Sequence, residues 1–152
     1  QRRAVEKDGN AGLAVTIDLG DRWDIHPANK QQVGYRLARA ARHVVYGEAI
    51  TPSGPSVKRA RREGDAVVVE FGDIDGKLVS LSGAYPNGFE LCGDRTGSCR
   101  YALATIEGNT VKLTGENASA ATRVRYCWAD SPVCTLYDTA PLPAGPFEIS
   151  IQ

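Results

Sequence analysis

The chain has 152 residues, enough for one ordinary domain or for a small domain plus part of a larger one. Its 18 basic and 18 acidic side chains cancel, which argues against nucleic acid or an anionic membrane surface as the main partner. No apolar run approaches the ~20 residues that span a bilayer, while 16 glycines, 8 prolines and 7% aromatics suit a turn-rich β protein.

Residues 1–8 read as the end of a helix closed by the turn Asp8-Gly9-Asn10. The opening Gln1-Arg2-Arg3 has neither an apolar leader nor an initiating methionine, and the chain lacks methionine throughout, so it reads as a mature, trimmed or cleaved product. Leu13–Leu19 is a nearly continuous apolar run between glycines, the pattern of a strand buried on both faces of a parallel sheet. A polar junction follows, with Asp18, Asp21, Trp23, Asp24 and His26. The spacing then predicts a helix with Pro27 at its first position and Gly47 as its stop. Val33, Leu37, Ala40, Ala41 and Val44 are expected on its inner face, with Lys30, Arg36, Arg39 and Arg42 mainly in solvent and His43 half-exposed. A helix end, one strand and one helix do not make a domain. They read as the last αβα unit of a doubly wound sheet, and an orphan strand would leave two unpaired edges. Another polypeptide segment is expected to complete it.

After the cluster Thr51-Pro52-Ser53-Gly54-Pro55 the pattern changes to short strands: 66–71, 78–81, 101–106, 110–114 and 122–128, separated by glycine-containing turns. Several short strands with turn signals between them indicate an antiparallel β-sandwich. The basic run Lys58–Arg62 reads as a solvated strand edge. Tyr126 and Trp128 alternate along one strand and are expected in the core. Asn117-Ala118-Ser119 fits a glycosylation sequon, a triplet common by chance.

The four cysteines, Cys92, Cys99, Cys127 and Cys134, form two similar loops with six residues between each pair. That spacing is wrong for a zinc knuckle and favours two disulfides in an oxidising compartment, although the sequence leaves three connectivities open.

Taken in order, Thr16-Ile17-Asp18-Leu19-Gly20, Asp24-Ile25-His26-Pro27-Ala28-Asn29-Lys30 and Val33-Gly34-Tyr35-Arg36-Leu37-Ala38 match one family pattern. Val124-Arg125-Tyr126-Cys127-Trp128 and Leu142-Pro143-Ala144-Gly145-Pro146-Phe147 continue it. The chain resembles the C-terminal part of the sialate O-acetylesterase family, SGNH-type serine hydrolases related to acetylxylan and acetyl-xyloglucan esterases. The resemblance implies an α/β plus β fold: residues 1–47 as the C-terminal strand and helix of a flavodoxin-like SGNH hydrolase domain, 48–54 as linker, and 55–152 as an accessory β-sandwich. It implies a carboxylic-ester hydrolase that removes O-acetyl groups from carbohydrates, periplasmic or secreted (lumenal in a eukaryote), with no cofactor and no metal.

In that reading His26 is the general base of acyl transfer, a task suited to an imidazole near neutral pH. Its serine and oxyanion hole lie in an upstream segment, on the same precursor or a separate chain. The family usually places the orienting aspartate three residues before the histidine, where this chain has Trp23, so Asp24 is taken as the acid, the alternative being a Ser-His dyad supported by a backbone carbonyl. Trp23 is a candidate for the sugar pocket, and Asp18 is expected to be a buried structural carboxylate bonded to loop amides. The partners implied are the acetylated carbohydrate and the N-terminal hydrolase segment, with no nucleic acid and no membrane. The contrasting possibility is a non-catalytic carbohydrate-binding or scaffolding β-sandwich with a vestigial N-terminal appendage.

Overall fold

In the computed structural model, which describes residues 1–152, two helices precede ten strands. Helix α1 (Arg2–Val5) is one turn, and α2 (Lys30–Val44) is the only long helix. The strands are β1 (Ser56–Glu63), β2 (Ala66–Gly72), β3 (Leu78–Ser80), β4 (Phe89–Cys92), β5 (Arg100–Tyr101), β6 (Leu103–Glu107), β7 (Thr110–Thr114), β8 (Arg123–Tyr126), β9 (Leu136–Asp138) and β10 (Phe147–Ser150). They form antiparallel sheets in the orders β1-β2-β7-β6 and β10-β8-β4-β5, with a small β3-β9 pair.

Alternation along the strands explains the core. Val111 and Leu113 of β7 point inward while Thr110 and Lys112 do not, and in β8 Val124 and Tyr126 are buried beside Arg123 and Arg125. Both four-stranded sheets contribute to a single 19-residue core, in which Phe89, Tyr126 and Phe147 form a mutually packed aromatic cluster. The Tyr126 hydroxyl accepts the Leu136 amide at 3.0 Å, so the small sheet is tied to the same core. Gly64 and Gly108, at φ +58° and +62°, close the β1-β2 and β6-β7 hairpins, where tight turns favour positive φ.

The sheets join at two corners. The predicted strand 101–106 divides: Arg100–Tyr101 pairs with β4, and Leu103–Glu107 crosses to β7. At the other corner Ala60 bridges Ile151, with the Gln152 amide donating to the Ala60 carbonyl at 2.9 Å. The edge strand expected for the basic run is therefore present as β1, capped by the chain's last residues. β4, β9 and β10 are not expected from the sequence pattern, having just three or four residues each.

Both short disulfide loops form, Cys92–Cys99 and Cys127–Cys134. Trp128 departs from expectation: it is 52% exposed, with the Arg125 guanidinium 5.3 Å from its ring centre. β8 stops at Tyr126, and Cys127 at φ +51° turns the chain out of the strand's alternation. Asn117 donates its side-chain amide to the Leu91 carbonyl at 2.7 Å, so the nitrogen a glycan would need is engaged in the fold.

Leu13–Leu19 forms no ladder. A strand exists only through partners for its backbone groups, and none lies alongside. Helix α2 also begins later than predicted, at Lys30 rather than Pro27, because the Asn29 side chain accepts the Gln32 amide at 3.3 Å and acts as N-cap. Its end is as expected, with Gly47 at φ +67° just beyond. Its orientation is not. Arg36 is only 5% exposed and the Arg39 side chain is 10% exposed, whereas Leu37 is 55% exposed. The guanidiniums turn inward because the surface beneath α2 offers carboxylates and carbonyls to receive them.

Candidate active site

The junction read as catalytic is an irregular loop between residue 18 and the cap Asn29. Its internal bonds are local. Asp21 accepts the Trp23 amide at 2.8 Å and Asp24 accepts the His26 amide at 2.7 Å, two successive Asx turns. These turns follow from aspartates placed two residues before amides that have no helix or strand to join.

The loop brings Asp24 and His26 together. Asp24 Oδ1 lies 4.0 Å from His26 Nδ1, with the imidazole 87% exposed. The carboxylate is thus fixed by the His26 amide, one short ring rotation from the imidazole nitrogen. Trp23 is 88% exposed, with the Arg22 guanidinium 5.1 Å from its ring centre. No serine or cysteine hydroxyl or thiol is bonded to His26, and all four cysteines are in disulfides. No cluster of three or more His, Cys, Asp or Glu side chains could hold a metal ion.

The feet of the loop are held far more firmly than its tip. Asp18 receives Arg36 through two bonds, Nη1 at 2.5 Å and Nη2 at 2.8 Å, and Arg36 Nη1 also donates to the Val15 carbonyl at 2.8 Å. Burial works to raise the Asp18 carboxyl, but the Arg36 guanidinium overrides it and holds it below the usual carboxylate range. Asp18 is structural, as expected, although its partner is a side chain rather than loop amides. Burial, together with the charge of Asp18, pushes the hydroxyl of Tyr137 in β9 up to about 12.

No family model matches the chain. The chain is 32% identical to mouse sialate O-acetylesterase over 157 residues, covering 94% of its length, and 29% identical to the human enzyme over 160 residues, covering 91%. The crystal structure of a carbohydrate acetylesterase from Xanthomonas citri superposes with a TM-score of 0.82 at 39% identity over 89% of the chain. This chain is homologous to part of the sialate O-acetylesterases. It spans 29% of the mouse and human proteins and 31% of the Xanthomonas chain.

Within this sialate O-acetylesterase homologue, its mostly antiparallel fold with few helices is that of the Xanthomonas acetylesterase over the shared part. Arg36 and Tyr137 are the residues that sequence reasoning missed. Arg36 falls three residues after Val33 and four before Ala40, hence on the inner stripe of α2, so its burial was legible from spacing alone. Nothing in the sequence near Tyr137 links it to Asp18, more than a hundred residues earlier.

Proposed function

We propose that this chain is the C-terminal part of an SGNH-type serine esterase that removes O-acetyl groups from carbohydrates. Residues 1–47 close its hydrolase domain, 48–54 are the linker and 55–152 an accessory β-sandwich. The observation that carries the reading is a histidine beside an aspartate on an exposed loop of a sialate O-acetylesterase homologue, with no nucleophile of its own. The fully accessible imidazole suits a base whose serine belongs to a segment upstream.

In the assembled site the His26 imidazole takes the proton of the serine hydroxyl as its oxygen bonds to the acetyl carbon. The resulting imidazolium returns that proton to the sugar oxygen as the carbon–oxygen ester bond breaks. Water, deprotonated by the same imidazole, then releases acetate and frees the serine. Asp24 orients the ring, since a small rotation brings Nδ1 within bonding distance of its carboxylate. Trp23 offers an aromatic face to a sugar ring beside the base. The oxyanion hole comes from the upstream segment. Two disulfides support a periplasmic or secreted setting, lumenal in a eukaryote.

The exposed apolar side chains of residues 1–47 support the expected partner segment. Trp23, Ile25, Tyr35, Leu37, Val45 and Tyr46 all face open space, a surface that water disfavours and a neighbouring layer of a hydrolase sheet would bury. The test is native mass spectrometry of the purified protein with an acetyl-ester assay on the same fraction. Co-purification of an upstream segment with acetate release, lost in His26→Ala, supports the reading. A stable lone chain that binds oligosaccharide but stays inactive when supplied with that segment favours the carbohydrate-binding alternative.

A further inference from the structure

The tip of the histidine loop has no anchor outside itself. Its hydrogen bonds are the two Asx turns, and Trp23, Asp24, Ile25 and His26 are exposed. A base must nonetheless be held to a fraction of an ångström, because a misplacement of about 1 Å can cost ~100-fold in rate. The placement must therefore come from the loop's two feet. One foot is Asp18. The other is the start of α2, capped by Asn29.

A single side chain ties both feet together. Arg36 rises from α2, pairs with both oxygens of Asp18 and reaches the Val15 carbonyl, which closes residues 18–36 into a stapled loop. The staple is tied to the β region through β9. Asp138, 1% exposed, accepts the amides of Ala140, Leu142 and Asp75. Asp75 in turn pairs with Arg39, one helical turn beyond Arg36, and Arg39 also donates to the Thr51 carbonyl at 2.7 Å. Charge-assisted, and in the Arg36–Asp18 pair largely shielded from water, these bonds are of the strong kind.

We propose that Asp18, Arg36 and Arg39 are positioning residues for His26, so that the β region sets where the catalytic base stands. This deepens the esterase reading and rests on it for its catalytic consequence. It gives the β region a task in the reaction beyond solubility or sugar binding: β9 is the fixed reference against which the loop is held.

The first test is amide hydrogen exchange on the 152-residue chain, which involves no catalysis. Arg36→Lys keeps the charge but loses the two-pronged geometry, and Asp18→Asn removes the charge. Each is expected to speed exchange over residues 20–28 about tenfold, as the loss of a charged hydrogen bond implies, with protection of β2 and β7 unchanged. Unaltered exchange over 20–28 overturns the staple. Should either variant lose protection in β2 and β7 as well, Arg39→Lys decides, because it keeps the charge and loses only the forked contact with Thr51 and Asp75. Its expected effect is a smaller acceleration confined to 20–28, and none overturns the role of β9.

The second test uses the enzyme with its upstream segment. Arg39→Lys and Arg36→Lys should lower kcat about 10- to 100-fold with KM little changed, the mark of a displaced base. A rise in KM alone overturns the positioning role. His26→Ala is run beside them: if it retains activity, the base assignment fails while the exchange result on the staple stands by itself.

Discussion

From residue 55 onward ten strands pair in ladders, and the apolar side chains of both four-stranded sheets meet in one core. In residues 1–47 only Arg36 and Ala40 are buried, no strand forms, and six large apolar side chains stand in solvent. The first region is held by packing, the second by arginines reaching to carboxylates and carbonyls. The difference separates a β region packed around its own core from an N-terminal segment docked onto it with exposed apolar side chains. Polar staples give one fixed geometry without requiring a core, which is what the loop needs if His26 is the proposed base.

Five experiments break or sharpen that contrast. The largest effect is on chemistry: His26→Ala in the assembled esterase should cut acetate release about 10⁴-fold or more and leave the melting temperature unmoved, since the ring is exposed. Retained activity would move the base elsewhere. Next comes the β core. Phe89→Ala should cost about 3–5 kcal/mol in urea unfolding, because the ring is buried against Tyr126 and Phe147; a loss near zero would mean that the region is not held by packing.

Opening one covalent loop should cost less. The double change Cys127→Ser, Cys134→Ser removes a link spanning seven positions, worth about 2.5 kcal/mol in the chain-entropy picture, read from unfolding with and without the pair. The fourth experiment titrates the staple. The Asp18 carboxyl sits below its ordinary value of 3.8 in the fold, so its pair with Arg36 stabilises fully above that value and fades as pH falls through the lowered one. Docking of residues 1–47, followed by exchange over 20–28, should therefore loosen in acid. Tyr137 acts at the other end: its hydroxyl is raised from 10.0 to about 12, so stability falls as pH climbs through that window. Tyr137→Phe should flatten part of the fall, the remainder coming from Tyr126, which burial also raises.

The smallest effect is expected on the free face of α2. Leu37→Glu should change the stability of the chain by no more than about 0.5 kcal/mol, since the side chain is exposed, yet weaken association with the upstream segment in a pull-down. Unchanged association would place that segment elsewhere.

The readable parts of the chain were those where local chemistry and tertiary structure agree. Thr110–Thr114 alternates cleanly and is β7 to the residue, and the equal cysteine spacings became two loops. The Asx turns at Asp21 and Asp24 are likewise local events. Other elements depended on distant neighbours. The strand expected at 13–19 lacks a partner, the run 101–106 divides between two sheets, and Trp128 leaves the core because Cys127 turns the chain. Asn29 was legible as a cap, with Gln32 three residues on, but Pro27 offered a competing start.

Sequence by itself determined the β character beyond residue 55, the two cysteine loops, the Asp24–His26 pair and the kinship with sialate O-acetylesterases. These rest on periodicity, turn chemistry and short motifs, all of which act over a few residues. The tertiary structure alone decided that Arg36 pairs with Asp18, that Arg39 turns inward to Asp75, and that the final residues seal β1. Such pairings join positions far apart in the chain, and their energy comes from charge attraction and hydrogen bonding that outweigh the cost of leaving water, which no local pattern encodes.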